Sequence, residues 1–248
     1  MTAQSTSKGW VDLHLHYLPS VDDGVRTMDE GLTLCRGLAA LGYEQVVATP
    51  HIRTAMFENE PIALRAAFAA FEQASAKVEG MPRLGLAAEH FYDDVFWNRF
   101  EAGGILPYPG GAAVLVELPD SQVPVGLAQR FFHMQVRGVA PVLAHPERYR
   151  PLFRRTDAID DLLEMGLLAQ LDLMALVGRY GRAVRKAAER MLDEDVYFIA
   201  CSDAHRPEDV SQVAEAIERL EDLVGVEERQ RLLAENPRRL LAGDLDRL

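Results

Sequence analysis

The sequence predicts an α/β chain folded as a closed or nearly closed barrel of seven βα units, and three observations carry that expectation. Short runs of Val, Ile, Leu and Ala alternate with longer amphipathic stretches along the chain, the order of successive βα units. The runs are apolar at consecutive rather than alternate positions, as strands of a parallel sheet covered on both faces are. A length of 248 residues suits one barrel-sized core better than two domains. An open, doubly wound sheet is the architectural alternative.

Strands are expected near 10–15, 44–49, 83–88, 112–117, 140–144, 168–172 and 196–201, with helices near 28–42, 61–79, 123–137, 157–165, 181–193 and 207–223. Thr27 followed by Glu30 forms a capping box ahead of the first helix. Pro61 suits the first turn of the second, where its missing N–H costs nothing. Residues 226–248 read as one or two short helices packed on the outside. Met1–Gly9 is polar, lacks the apolar centre of a secretory signal, and is expected to be a flexible tail before a single domain spanning 10–248.

Composition narrows the function. The 48% hydrophobic and 26% charged residues are ordinary for a globular protein. A net charge of −12 repels nucleic-acid backbones, so no nucleic-acid partner is expected. It would also repel a phosphorylated substrate unless bound metal ions supply local positive charge. Cys35 and Cys201 lie in apolar stretches and read as buried free thiols. No apolar run reaches the ~18 residues of a membrane span, so no membrane insertion and a cytoplasmic location are expected.

Metal-binding residue types fall where the strands end. Strand one runs into His14 and His16, with Asp22-Asp23-Gly24 just beyond. Strand two leads to His51, strand three to Glu89-His90, strand four to Glu117, strand five to His145 and strand seven to Asp203 and His205. In a barrel these ends open on one face, where active sites are built. A lone histidine is more often structural than a ligand. Here, however, six of the seven histidines sit at or just past a strand end, which scattered surface histidines would not do. His133, inside a helical pattern, is read as ordinary helix surface or core. The nine candidates His14, His16, Asp23, His51, Glu89, Glu117, His145, Asp203 and His205 are too many for one ion. Two or three ions with a bridging carboxylate account for them, a recurring device for cleaving phosphate esters.

The set Asp12-x-His14-x-His16, Asp22-Asp23-Gly24, Thr49-Pro50-His51, Glu89, Glu117, His145-Pro146-Glu147-Arg148-Tyr149, Gly178-x-Tyr180-Gly181 and Ser202-Asp203-Ala204-His205 resembles the PHP (polymerase and histidinol phosphatase) superfamily. Within it the likeness is to the bacterial tyrosine-protein phosphatases of capsule and exopolysaccharide operons. The resemblance covers about residues 10–241. It implies a distorted (β/α)7 TIM-like barrel, the PHP fold, with a site for three divalent ions, Mn foremost and Fe, Mg or Zn as alternatives. It implies a partner too, the phosphotyrosine-bearing C-terminal tail of a tyrosine autokinase. Carried over by position, His14, His16, Glu89 and Asp203 would hold one ion. Glu89 as bridge, Glu117 and His145 would hold the second, and Asp23, His51 and His205 the third. Asp172 and Ala175 depart from the Asn and Ser expected of near relatives, and His90 beside Glu89 is unusual.

The chemistry expected is attack of metal-activated water on phosphorus, with the ions neutralising charge on the phosphoryl oxygens. Arg148 and Arg206, just past ligand-bearing strand ends, are the candidates to fork onto phosphate. Asp12 is expected either to orient a ligand imidazole or to cap the turn. Neither cysteine stands in the Gly-rich phosphate loop that a thiolate mechanism requires. The rivals are another phosphoesterase of the superfamily, such as a histidinol-phosphate phosphatase, a zinc amidohydrolase, and a non-catalytic kinase-binding regulator.

Overall fold

A computed structural model describes residues 9–245, so residues 1–8 of the expected tail lie outside the described residues. Nine strands pair, all in parallel: β1 (Trp10–Leu15), β2 (Tyr43–Ala48), β3 (His51–Ile52), β4 (Arg83–Leu86), β5 (Glu89–Phe91), β6 (Ala113–Glu117), β7 (Ala140–Ala144), β8 (Leu168–Asp172) and β9 (Ile199–Cys201). They form two sheets, β1-β2-β4 and β3-β5-β6-β7-β8-β9.

Seven of the nine match the expected strands, β9 starting at Ile199 rather than 196, while β3 and β5 lie beyond the expected ends at 49 and 88 as continuations of strands two and three. Strand two breaks into β2 and β3 at Thr49-Pro50, where proline has no N–H to give to a ladder. Strand three breaks into β4 and β5 at Ala87-Ala88. Bonds from Ala87 N to Ala48 O (2.8 Å) and from Glu89 N to Pro50 O (3.2 Å) carry the pairing across both breaks. At the other edge Asp203 N donates to His14 O and His16 N to Ala204 O, each at 2.9 Å, and Leu15 bridges Ala204 in parallel. The ring therefore closes between β9 and β1 at the end where the predicted site lies.

Helices α1 (Met28–Leu41), α2 (Pro61–Ser75), α3 (Asp94–Glu101), α4 (Leu127–Val136), α5 (Asp157–Glu164), α6 (Arg182–Asp193), α7 (Asp209–Gln230) and α8 (Asn236–Ala242) cover the outside. The capping box of α1 forms, with Glu30 N donating to Thr27 Oγ1 (3.2 Å) and Thr27 N to Glu30 Oε2 (3.3 Å). The expected elements do not include helix α3, capped by Asp93 through Phe96 N, or the 3-10 turns over Pro146–Arg148, Arg150–Leu152 and Leu173–Val177. The α7 segment runs past its expected end with a kink at Gly225, whose φ of 81° suits glycine.

The core is layered. Ala113, Leu115, Val142, Ala144, Leu168, Ile199 and Cys201 pack together inside the ring. The residues between them, Val114, Val116, Leu143, Ala169, Leu171 and Ala200, join the larger cluster under the helices. Cys35 and Cys201 are both buried and free, as expected. One expectation needs correction: α8 is not merely laid on the outside. Leu240 belongs to the inner cluster, and Asn236 Nδ2 donates to Phe198 O at 2.7 Å. This segment fills the seam between β1 and β9 below the point where they bond.

Candidate metal centre

The nine predicted residues converge at the C-terminal mouth of the ring. They fall into four overlapping groups: His16, Asp23, His51 and His205; His14, His16 and Glu89; His14, His145 and Asp203; His51, Glu89 and Glu117. Within each, one donor atom per residue lies within 4.8 Å of the others. Glu89 is the hub. Its Oε2 stands 3.2 Å from His14 Nε2 and 2.9 Å from His51 Nδ1, and its Oε1 3.0 Å from His145 Nε2. Asp203 Oδ1 stands 3.1 Å from His14 Nε2 and 3.2 Å from His16 Nε2. Asp23 Oδ1 reaches His51 Nε2 at 3.5 Å and His205 Nε2 at 3.4 Å.

Local backbone puts these groups in place. His145 (φ 34°) and Asp203 (φ 48°) are left-handed, a conformation histidine and aspartate tolerate better than most but still at a cost of ~1–3 kcal/mol. The chain thus turns sharply at two strand ends to aim the side chains inward.

Supporting bonds fix the ring nitrogens. His14 Nδ1 meets Gln170 Oε1 at 2.7 Å. Since an amide oxygen only accepts, that nitrogen carries the proton, which leaves the Nε2 lone pair facing the cluster. Asp22 does the same for His16 Nδ1 at 2.7 Å, and the Asp203 carbonyl for His205 Nδ1 at 2.8 Å. Among the described residues, Glu117 Oε2 is buried without a hydrogen-bond partner, and His16 Nε2 and Asp203 Oδ1 face only each other and the rest of the cluster. Imidazole lone pairs and carboxylate oxygens converging in one pocket are the donor set of a divalent cation. The residues fit the metal site they were expected to form.

The electrostatics agree. Burial opposes charge on His14, yet Asp203 and Glu89 overcome it and hold its pKa well above the usual value. Burial likewise disfavours the charged forms of His51 and His205, but Glu89 and Asp23, respectively, bring each to about 9. Burial and the neighbouring Glu89 charge raise Glu117 to about 7. So many acids in one pocket require compensating positive charge, as protons or as metal ions that displace them.

The remaining candidates divide. Arg148 reaches the site: its Nη1 lies 2.8 Å from Asp203 Oδ2 and 3.7 Å from Asp172 Oδ2, and the guanidinium covers the Tyr180 ring at 4.6 Å. Arg206 is exposed on the outer rim beside Gly24 and Arg26. Asp12 turns out to serve backbone, accepting from His14 N and Ser202 N (both 3.2 Å) and so tying β1 to the end of β9. His90 accepts from Leu106 N at 3.2 Å. Burial and Arg99 depress its pKa to about 3, so it is a neutral packing group. His133 pairs with Glu101 on the helix surface. Asp172, for which no role was foreseen, caps the turn after β8 through Met174 N.

Two supporting roles do not show in the sequence: Gln170 is not singled out there, and Asp22 appears only within the Asp22-Asp23-Gly24 motif. Gln170 was hidden as one polar residue in an apolar strand; its signal is that it shares a strand face with Asp172. Asp22 stood beside the chosen Asp23. The two separate sharply by exposure, with side chains 0% and 57% accessible.

A parallel ring whose C-terminal mouth gathers histidines and acids defines the class of barrel metallohydrolases. A structural likeness to an amidohydrolase from Mycoplasma synoviae supports the fold alone (TM-score 0.59, 14% identity, 95% of this chain and 88% of that one). The chain belongs to the CpsB/CapC family of capsular polysaccharide synthesis, whose model matches residues 10–242. It is 29% identical to the tyrosine-protein phosphatase YwqE of Bacillus subtilis, over 79% of this chain and 77% of that one. It is 24% identical to the tyrosine-protein phosphatase CpsB of Streptococcus pneumoniae, over 95% and 99%. The crystal structures of YwqE and CpsB, described as unique metal-dependent tyrosine phosphatases, supply a match at TM-score 0.86 and 27% identity over 94% of each chain.

Proposed function

We propose that this chain is a metal-dependent protein-tyrosine phosphatase, a phosphoric monoester hydrolase whose substrate is the phosphotyrosine-bearing C-terminal tail of a bacterial tyrosine autokinase controlling capsule or exopolysaccharide synthesis. The observation that carries this reading is the meeting of nine imidazoles and carboxylates, Glu89 at their centre, at one mouth, in a chain whose relatives bear the name of tyrosine phosphatase.

Three divalent ions are proposed, Mn²⁺ first and Fe, Mg or Zn as alternatives. His14, His16, Glu89 and Asp203 would hold one, Glu89, Glu117 and His145 a second, and Asp23, His51 and His205 the third. The distance groups share His14, His16, His51 and Glu89, and they put His145 with His14 and Asp203, so neighbouring ions would lie close together. Such ions, when bound, activate water and offset charge on phosphoryl oxygens. The chain's own part is positioning: Gln170 and Asp22 hold ligand imidazoles in the tautomer that presents a lone pair. Arg148, beside Asp203, presents guanidinium donors to a bound phosphoryl group, and Arg206 on the rim steers anions toward it. Residues 10–248 are read as a single phosphatase domain acting in the cytoplasm. No helix among the described residues is long and apolar enough to cross a membrane.

The test is hydrolysis of a phosphotyrosine peptide by chelator-stripped protein refilled with Mn²⁺, with histidinol phosphate as comparison. Little activity when stripped, recovery on refilling and preference for the peptide are expected. Equal low rates with and without metal would refute the reading, as would full activity in His14→Ala.

A further inference from the structure

We propose that Arg53 is a further substrate-binding residue of this site, its guanidinium taking a phosphoryl oxygen of the bound phosphotyrosine from the β3 side while Arg148 stands on the β7 side. The inference rests on the phosphatase reading above, which it extends to a residue that no ligand or phosphate argument from the sequence singled out.

Position comes first. Arg53 follows β3 directly, two residues after His51, and a tight turn holds its backbone. Arg53 N donates to Phe57 O (2.9 Å), and Phe57 N donates back to Arg53 O (2.8 Å). Phe57, at the far side of that turn, stacks on the His51 ring at 5.3 Å and 13°. The turn is thereby seated against the cluster. From it the guanidinium lies over the Phe91 ring at 4.1 Å, which orders the planar group without using its N–H donors.

Those donors are the second point. The Arg53 side chain is 34% exposed, and its one ion-pair contact is loose, 3.8 Å from Nη1 to Glu117 Oε2. Neighbouring arginines are more committed. Arg148 is drawn onto Asp203 at 2.8 Å, and Arg99 onto Glu60 at 2.7 Å. Arg53 is thus an ordered cation with donors to spare, one carboxylate away from the His51–Glu89–Glu117 group. Guanidinium binds phosphate through parallel N–H donors, and a chain of net charge −12 must supply such groups locally to admit an anion.

The third point is access. Arg53 and Phe57 form one wall of a cleft of about 250 Å³ whose other walls include Thr54, Glu58, Val95 and Phe96. Ile52, the chain neighbour of His51, also lines this cleft, which therefore borders the cluster on the β3 side. Arg53 sits at the junction of cleft and cluster.

The test compares Mn²⁺-loaded wild type, Arg53→Met and Arg53→Lys. Bound metal and thermal midpoint are measured first, then KM and kcat for a phosphotyrosine peptide, and separately the Kd of inorganic phosphate by calorimetry. Arg53→Met is expected to keep the wild-type metal content and thermal midpoint while raising both KM and phosphate Kd about 10- to 100-fold, the worth of one charge-assisted contact. Arg53→Lys should recover part of the loss. Unchanged KM and Kd in a folded, metal-loaded Arg53→Met variant would overturn the proposal. So would a loss of metal that accounts for the whole effect, since Arg53 would then only be holding Glu117. If wild type fails to hydrolyse the peptide, the phosphatase reading falls, while the phosphate titration still decides the role of Arg53.

Discussion

The two ends of the same strands make opposite demands on the sequence. In β6, Ala113 and Leu115 pack in the inner apolar cluster, and two residues on Glu117 enters the metal group. At the foot, Leu240 and its neighbours remove apolar surface from water, which favours folding at ~25 cal/mol per Å². At the mouth, Glu89, Glu117, Asp203, His14, His16 and His145 are buried at a cost that protons, metal ions and the Arg148 guanidinium relieve. Stability and function are divided lengthwise along each strand, and the two ends should respond independently to change.

The largest effect should follow from emptying the mouth. Chelation should cut phosphotyrosine hydrolysis on the order of 10³-fold or more yet leave the far-ultraviolet circular dichroism unchanged; gross unfolding on chelation would show that the foot cannot hold the ring alone. Next, Leu240→Ala should lower stability by about 2–5 kcal/mol through the cavity it leaves, roughly 5–15 °C in thermal midpoint for a chain of this size, while the rate per metal-loaded molecule stays as in wild type. A fall in that rate would join the two ends again. Gln170→Leu should do the reverse, weakening metal affinity or activity about 10- to 100-fold by freeing the His14 ring, with little change in thermal midpoint.

The smallest effect concerns Glu147, buried behind the mouth, where it accepts from Asp172 N (2.8 Å) and Tyr197 Oη (2.9 Å). Burial and then Asp172 raise its pKa from 4.5 to about 8. The folded protein therefore keeps a proton that the unfolded chain loses near 4.5, and stability falls as pH rises from there to about 8. In chelated protein, Glu147→Gln should flatten the drop in thermal midpoint between pH 5 and 8; an unaltered slope would assign it to other groups.

Most of the mouth was legible before the structure because its residues break a simple rule. An acid or imidazole ending an apolar run, as at Glu117 or His145, has no packing reason to be there. What escaped notice had no such contrast. Gln170 supports His14 from inside strand β8, and its polarity could as well have marked a sheet edge. Arg53 gains meaning only from a turn whose 53–57 pairing no periodicity announces. The division of strand two was recoverable from Pro50, whereas the Ala87-Ala88 break leaves no chemical trace. Helix α3, eight residues long, is too short for its amphipathic pattern to stand out between two strands.

The seam between β1 and β9 ties distant parts of the polypeptide together. The two strands bond directly only near the mouth, and below it Asn236 and Leu240 complete the join, with Arg238 reaching the carbonyl of Gly9. During synthesis β1 is therefore present long before the piece that secures it. The join is complete only once residues near 240 have been made, so the contacts that close the ring are among the longest in sequence separation, the kind that form late in folding.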